Sequence, residues 1–406
     1  MLSFYIFFVG YCMMSNLGQS IIDASGLSHL LFKLTVYDLN GYLAINDMLR
    51  FQFICIAALN LGSAIYLSKP GRVVTIQMQR DNYQYNLPKE KHDDLFDVIM
   101  LVSMIFFIYQ CFHMVVLRQS YDYATFFELG RGQTQNRLTS YMDFAVVILS
   151  MRCIFRGRRL KLVYGFYFLS IVLYMYVGAR GLAIRFVAMA LTTLPFVRPD
   201  LFRKRYIAFW IIGFIMSFSV LSVISSSRSS VLGSSTGANE GLGMNIVNTV
   251  AEMGLSERPP ILTIQAINNG QEHYQTIAST LLKAWVPFTS STNFSQRNSV
   301  TLGDWVSDYA GSYHSGLGSS IVAEAYMNFD WFGWIFFLVW GLFITYAENK
   351  AYRDLINGKY LYSLWLLTLI CTLVVFARSE FAHAQEVLRW GEYFFIYRLI
   401  NPSKSI

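Results

Sequence analysis

Arginine side chains lie at the predicted ends of several apolar segments, where a charge needs a physical reason. Arg180 and Arg185 border a tight connector at 178–181, and Arg228 follows an apolar run that ends at residue 224. An ionisable group within a membrane span costs roughly 2.5–3.5 kcal/mol. Because a planar guanidinium group pairs well with phosphate oxygens, several arginines at one level favour an anionic ligand such as a lipid phosphate or diphosphate.

Single residues at this level have simpler explanations. Arg180 and Arg378 can extend along the bilayer surface and contact lipid phosphates. His113, about one turn inside the predicted end of its span, is interpreted as a hydrogen-bonded packing residue. The argument for a ligand therefore depends on several cations lying at the same depth.

A long, mostly polar segment at 225–316 carries further side chains that can do chemistry. Glu252 and Arg258 lie near its middle, and Tyr313 and His314 lie near its C-terminal end. An imidazole accepts a proton near neutral pH, and an arginine binds oxyanions. A large hydrophilic insert between apolar runs indicates work done at one membrane face.

Motifs that would indicate a different chemistry are absent from the sequence. It has no H-E-x-x-H, no Walker loop and no zinc-ligand spacing, so neither a metal nor a cofactor is expected. Asp304 and Asp308 lie one helical turn apart, which suits paired carboxylates, but such a pair is more often a solvated face. All five cysteines lie inside apolar runs without a CxxC motif, which predicts free thiols in the core.

The elements that must position these residues are membrane helices. The 406-residue chain is 54% hydrophobic and only 14% charged, whereas soluble domains carry about 25% charged residues. Apolar runs long enough to cross a bilayer recur along it, which predicts an all-α polytopic membrane protein with about ten transmembrane helices. The predicted spans are 1–14, 51–67, 95–117, 141–155, 162–177, 182–197, 207–224, 331–346, 361–376 and 378–400.

Basic residues predict the orientation of these spans. The connectors on one side hold 16 Lys and Arg, against 5 in the short segments on the other side. By the positive-inside rule the richer side is cytoplasmic, so the segment 225–316 is external. Orientation thus explains the net charge of +7, and a nucleic-acid partner is not expected. Three regions follow: a helix bundle at 1–224, the large loop at 225–316, and a re-entrant half-helix with C-terminal spans at 317–406.

The stretch GLGSSIVAEAYMNF at 316–329 predicts the half-helix. Two glycines loosen the backbone, and the residues after them carry Glu324 back into the outer leaflet. The stretch resembles the signature G-x-G-x-S-x-x-x-E-x-Y-x-N-F-G of bacterial oligosaccharide repeat-unit polymerases, the O-antigen polymerase (Wzy) family. Asp330 stands where the signature ends in glycine, so the turn into the next helix is expected to differ. The motifs GARG at 178–181, EMG at 252–254 and WVP at 285–287 also agree.

The resemblance implies a membrane-embedded glycosyltransferase of the GT-C type. It would join undecaprenyl-diphosphate-linked repeat units at the periplasmic face of the bacterial inner membrane, without nucleotide sugar or cofactor. The departing diphosphate needs cations, and the expected partners are a flippase and a chain-length regulator. The candidate substrate-binding residues are Arg180, Arg185, Arg228, Arg258 and Tyr313.

The attacking sugar hydroxyl needs a general base. His314, Glu252 and Glu324 are the candidates, in that order, with a structural role for Glu324 as its alternative. Two other functions stay open: a ligase that moves finished glycan to another lipid, and a flippase for lipid-linked oligosaccharide. A flippase usually shows two similar halves with binding groups near the membrane midplane, and neither feature is evident here.

Overall fold

A computed structural model describes residues 4–25, 39–69, 93–120, 137–177, 180–197, 255–271, 302–310, 320–357 and 360–378. These residues form eleven α-helices and three 3₁₀ turns, and they contain no strand. The helices are α1 Phe4–Ala24, α2 Leu39–Leu67, α3 Asp93–Ser120, α4 Arg137–Phe155, α5 Leu160–Val177, α6 Arg180–Val197, α7 Arg258–Asn268, α8 Leu302–Tyr309, α9 Ile321–Phe329, α10 Trp334–Ile356 and α11 Tyr360–Leu373. The 3₁₀ turns are Leu255–Glu257, Asp330–Gly333 and Val374–Arg378.

Several of these helices have the length and apolar character of membrane spans. Within the described residues four segments meet both criteria, and two shorter apolar helices accompany them. Large apolar side chains face outward from the bundle, with Phe168 70% and Ile105 68% exposed, as expected where lipid is the solvent. The protein is therefore an integral membrane protein, and the part that the structure describes is all-helical. The spans predicted at 207–224 and 378–400 lie outside the described residues.

The first two helices are longer than hydropathy predicts. α1 continues to Ala24 and α2 begins at Leu39, although 15–47 is only weakly apolar. The reason is that the polar side chains of α1 face the interior of the bundle, where Asn16 and Gln19 are buried and hydrogen-bonded. A polar group is tolerated at that depth when a protein partner satisfies it.

Helices α2 and α10 form the tightest crossing in the described bundle. A Cβ atom at Gly62 would lie 2.0 Å from the carbonyl oxygen of Leu338, and one at Gly341 would lie 2.0 Å from that of Leu59. Small residues let two helix backbones approach in this way, as is common between membrane helices. The Ser63 and Thr345 hydroxyl groups are joined across the same crossing at 2.8 Å.

A second group consists of α3, α4, α5 and α6, which pack pairwise around aromatic side chains. The Phe107 ring of α3 contacts the rings of Phe166, Tyr174 and Phe186 at centroid distances of 5.4 to 5.6 Å. α11 packs against α4, α6 and α10, and so connects this group to the α2–α10 pair. All five cysteines are buried and free, as predicted.

Helix α1 defines the two ends of the bundle. Its first turn donates the Phe4 and Tyr5 N–H groups to the carboxyl group of Glu348 in α10, at 2.8 and 3.2 Å. Its last turns contact the 3₁₀ turn Leu255–Glu257. We call these the Glu348 end and the Glu257 end. α2 and α10 both run from the Glu257 end towards the Glu348 end, opposite to α1, in agreement with the predicted alternation of spans.

Candidate functional site

The Glu257 end gathers the short helices of the protein. α7 packs against α2, α8 and α9, and α9 packs against the 3₁₀ turn Val374–Arg378. Leu262 of α7 shares an apolar cluster with Ala323 and Met327 of α9 and with Val306 of α8. Part of the segment predicted as a polar external loop is therefore built into the bundle, since Ile261 and Ile264 belong to its main core.

Glu257 connects this assembly to α1. Its carboxyl group is fully buried and accepts hydrogen bonds from the main-chain N–H groups of Gln19 at 2.8 Å and Ser20 at 3.1 Å. The Ser20 hydroxyl group is bonded to its second oxygen. Both residues lie within α1, so Glu257 is bonded directly to the main chain of that helix.

The sequence after Glu257 explains why its side chain is available. Glu257 occupies the N-cap position of α7, but it makes no capping hydrogen bond to its own helix. A capping side chain normally accepts from the N–H groups two or three residues on. Pro259 and Pro260 occupy those positions and have no N–H group. The carboxyl group therefore finds its donors on α1 instead.

Burial sets the protonation of this group. Glu257 lies outside the membrane-spanning helices, and burial raises the pKa of its carboxyl group to about 8, while the hydrogen bonds from Ser20 and Gln19 lower it and the nearby Asp23 raises it. The proton-bearing form is thus stabilised near neutral pH. Asp23 is itself buried and accepts a 2.7 Å hydrogen bond from the Gln19 side chain.

Arg258, the residue after Glu257, begins α7 and is half-buried. It lies one helical turn before Leu262, so it is on the face of α7 that meets α9. Glu324 lies in the first turn of α9 and is fully buried. A positive side chain and a carboxylate are thus carried into one region by two helices that pack on each other.

Arg185 lies in another part of the bundle. It is 2% exposed on α6, and its guanidinium group is 3.3 Å from the carboxylate of Asp143 on α4. It also lies 5.2 Å from the centroid of the Phe186 ring. A buried charge needs such a partner, so Asp143 is a compensating group that sequence patterns did not single out.

A small cavity lies beside the polar face of α1. Its lining residues include Asn16, Gln52, Val322 and Phe337. The volume within which the centre of a water molecule can lie is about 10 Å³. Both side-chain polar atoms of Gln52 and the Asn16 carbonyl oxygen have no hydrogen-bond partner in the described part of the chain. The space suits a single water and is too small for a sugar, so it is not the substrate site.

The sequence pattern of the family described as O-antigen polysaccharide polymerase Wzy matches residues 1–403. The protein belongs to this family. No curated protein and no solved structure matches the chain. Membership means that the protein polymerises oligosaccharide repeat units in polysaccharide biosynthesis, acting on lipid-linked oligosaccharide within the membrane.

The structure gives a physical account of the Wzy signature. Ser320 is the N-cap of α9, and its hydroxyl oxygen accepts from the Ala323 N–H at 3.2 Å. The Asn328 side chain donates to the Glu324 carbonyl oxygen at 2.7 Å, and Tyr326 packs edge-on against Phe51 of α2. The signature thus forms a short helix and packs it on α2, and its re-entry into the outer leaflet stays a prediction.

The end of the signature shows why its last residue is usually glycine. Asp330 has φ +51° and ψ −139°, a conformation that residues with a Cβ rarely adopt. Gly333 follows at the next close contact, where a Cβ would lie 2.7 Å from the Ala325 carbonyl oxygen. In this Wzy protein Asp330 therefore adopts, in the turn before α10, a positive-φ conformation that normally requires glycine.

The other predicted site residues are placed as follows. Glu252, Arg228, Tyr313 and His314 lie outside the described residues. Arg180 begins α6, but its side chain, like that of Arg378, is outside the described part. The interpretation of His113 as a packing residue is wrong, because its side chain is exposed on α3. Asp308 is exposed on α8, in agreement with a solvated face.

Sequence patterns missed Glu257 and Gln52. The available signal for Glu257 was its position directly before Arg258-Pro259-Pro260, which removes local capping donors. Gln52 carried no such signal, because it lies inside an apolar run. Among the described residues, no group of three or more His, Cys, Asp or Glu side chains is arranged to hold a metal ion.

Proposed function

We propose that this Wzy protein is a membrane glycosyltransferase that transfers a growing glycan from undecaprenyl diphosphate to an incoming lipid-linked repeat unit. The bond between the anomeric carbon and the diphosphate oxygen breaks, and a bond from that carbon to the acceptor hydroxyl oxygen forms. The hydroxyl proton passes to a base, and the lipid diphosphate leaves. No nucleotide sugar takes part, because the donor already carries an activated leaving group.

The observation that carries the proposal is the packing of α7 on α9 at the Glu257 end. These helices bring Arg258 and Glu324, two of the predicted site residues, into one region beside α2. A leaving diphosphate is stabilised by preorganised cations in a site of low dielectric constant. Arg258 supplies one such cation there.

The remaining roles are assigned by chemistry. Arg180, Arg185 and Arg228 are proposed as further diphosphate ligands, and Tyr313 as a contact to the substrate. His314 is the first candidate for the base, ahead of Glu252, because an uncharged imidazole accepts a proton at neutral pH. Glu324 is proposed as a positioning carboxylate, since its full burial in the first turn of α9 suits the helix dipole.

The finer architecture belongs to the same proposal. About ten spans are expected from the apolar runs, in a GT-C-like arrangement in the inner membrane, with the segment 225–316 on the periplasmic side. The basic connectors support this orientation. A chain-length regulator and a flippase are proposed as partners, since one sets the extent of polymerisation and the other delivers substrate to that face.

Purified protein in detergent tests the reaction. Given only lipid-linked repeat units, it should produce a ladder of longer lipid-linked glycans without nucleotide sugar or ATP. Detergent removes the two compartments, so a flippase does nothing measurable under these conditions. A well-folded preparation that forms no ladder but moves lipid-linked oligosaccharide across liposomes would identify a transporter, and transfer to a different lipid acceptor would identify a ligase.

Arg258→Ala is the first variant to compare. The rate of ladder formation should fall about 100- to 1,000-fold while the protein still accumulates and elutes as a folded species. Arg258→Lys should restore only part of the rate, because the planar two-pronged contact to phosphate is lost. A normal ladder from Arg258→Ala would show that the leaving-group assignment is incorrect.

A further inference from the structure

Glu257 has a geometry that the chemistry above leaves without a role. It is fully buried, so it does not reach a substrate in this conformation, and its two carboxyl oxygens are occupied by groups of α1. We propose that Glu257 is a positioning residue that fixes the start of α7, and with it Arg258, against the main chain of α1 at Gln19 and Ser20. The inference rests on the proposed role of Arg258.

The first support is the set of hydrogen bonds that joins Glu257 to α1. The Gln19 and Ser20 N–H groups are donated to Glu257, and a buried donor left without an acceptor costs about 1–3 kcal/mol. Removing the carboxyl group therefore takes an acceptor away from two main-chain donors and a hydroxyl group. These hydrogen bonds therefore stabilise the contact between α1 and the 3₁₀ turn Leu255–Glu257.

The second support is the short, stiff connection between the anchor and the arginine. Arg258 follows Glu257 directly, and the next two residues are Pro259 and Pro260, whose rings fix the φ angle near −65°. A shift of Glu257 therefore moves Arg258 rather than being absorbed by the chain. Because α7 packs on α9, the same shift alters the placement of Arg258 relative to Glu324.

The contacts also separate a positioning role from a role as general base. One carboxyl oxygen accepts the N–H groups of Gln19 and Ser20, and the other is paired with the Ser20 hydroxyl group and also accepts the Ser20 N–H at 3.2 Å. A glutamine side chain keeps the shorter contacts, since its carbonyl oxygen accepts both N–H groups and its amide donates to the Ser20 oxygen, and it loses only the 3.2 Å contact of the Ser20 N–H to the second oxygen. If Glu257 were the general base, in contrast, its replacement by glutamine would abolish proton transfer, because an amide does not accept a proton at neutral pH.

The test compares Glu257→Gln and Glu257→Met in the ladder assay, with rates expressed per folded molecule. Glu257→Gln should keep kcat within about threefold of the wild type, whereas Glu257→Met should lower kcat by about 100-fold, the effect of misplacing a catalytic group by about 1 Å. KM for the lipid-linked acceptor should change little. Glu257→Gln as inactive as Glu257→Met, or Glu257→Met with normal turnover, would overturn the proposal.

Glu348 provides a matched control. It is also a buried glutamate that accepts two N–H groups of α1, but at the opposite end of the bundle. Glu348→Met should lower the yield of folded protein as much as Glu257→Met does, yet leave the turnover of each folded molecule near that of the wild type. Equal loss of turnover in both variants would reduce Glu257 to a general structural role and overturn the inference.

Combination with Arg258→Ala identifies the route of the effect. If Glu257 acts through Arg258, Glu257→Met/Arg258→Ala should be no slower than Arg258→Ala alone, because the two changes remove one function. Additive losses contradict the proposal. Should Glu257→Met fail to accumulate, Ser20→Ala removes only the hydroxyl contact and should lower kcat severalfold, and wild-type turnover in that variant again overturns it.

Ladder formation by the wild-type protein separates a failure of the positioning role from a failure of the proposed transfer reaction. Absence of a ladder from folded wild-type protein defeats both, since there is then no transfer to position for. A wild-type ladder with unaffected Glu257→Met turnover defeats the positioning role alone and leaves the polymerase reaction in place.

Discussion

The close approach of α2 and α10 leaves no room for a side chain at Gly62 or Gly341. The loss of stability caused by a larger residue can be estimated from the contacts that it would make. A methyl group at Gly62 would lie 2.0 Å from the Leu338 carbonyl oxygen and 2.9 Å from the Leu342 nitrogen. Real Cβ atoms essentially never approach other atoms closer than 3.0 Å, so relief requires the two backbones to separate by about 1 Å. Overpacking of a tight interior typically destabilises a protein by about 1–3 kcal/mol. Because the obstacle here is backbone, which cannot move aside easily, Gly62→Ala should lower the free energy of unfolding by about 3 kcal/mol.

Gly341 tests the same contact from the partner helix. Its added methyl group would lie 2.0 Å from the Leu59 carbonyl oxygen, so Gly341→Ala should cost a similar amount. The double variant Gly62→Ala/Gly341→Ala should be less destabilised than the sum of the single changes, because one separation of the helices relieves both clashes.

Two other helical glycines serve as controls. A methyl group added at Gly10 of α1 or at Gly165 of α5 would meet no described atom within 4 Å beyond the adjoining backbone of its own helix. Alanine there should be neutral or stabilise the protein by about 0.5–1 kcal/mol through helix propensity. Free energies of unfolding for all variants are measured in one detergent by titration with SDS. If Gly62→Ala is as stable as Gly10→Ala, the close crossing of α2 and α10 is refuted.

Four further predictions concern single groups. Asp330→Gly should be more stable than Asp330→Ala by about 1–2 kcal/mol, because both lose the carboxylate but only glycine relaxes the positive φ; equal unfolding midpoints would contradict the strained turn. Because burial raises the pKa of Glu257 from 4.5 to about 8, the folded state binds a proton more tightly than the unfolded state, so stability should fall as the pH rises from about 4.5 through 8. Thermal unfolding of Glu257→Gln should show a flatter profile over that window than the wild type, and an identical slope would exclude Glu257 as its source. Arg185→Met should reduce folded yield by leaving Asp143 without its cation, and Arg185→Met/Asp143→Leu should recover yield; polymer that also recovers would remove Arg185 from the substrate site. Ser235→Cys should react with a membrane-impermeant thiol reagent in intact cells whose outer membrane has been permeabilised, and labelling only after lysis would reverse the topology.

Hydropathy and charge were sufficient to predict most of the helical layout. The spans predicted at 95–117, 141–155 and 162–177 correspond to α3, α4 and α5 within a few residues. The pattern failed at α1, where Asn16, Gln19 and Asp23 are buried in the bundle rather than facing lipid. It also failed at the first turns of α2, which are helical although Asn46 and Arg50 are exposed. Hydropathy averages over all faces of a helix, so it cannot distinguish a polar residue satisfied inside the protein from one that ends a span.

The half-helix α9 was predictable because its signature residues have local structural roles. Ser320 caps the helix and Asn328 satisfies a carbonyl group within it. Glu257 was not predictable in the same way, since its partners on α1 lie more than 230 residues away in sequence. Only the missing capping donors at Pro259 and Pro260 hinted that its carboxyl group had to bind elsewhere.

The central claim is that transfer takes place at the Glu257 end of the bundle, and labelling of the substrate site tests it most directly. A lipid-linked repeat unit with a photoreactive group beside the diphosphate is crosslinked to purified protein, and the modified peptides are identified by mass spectrometry. The account predicts labelling of α7 and α9, competition by unlabelled substrate, and loss of labelling in Arg258→Ala. Labelling confined to the Glu348 end, around the first turn of α1, would contradict it.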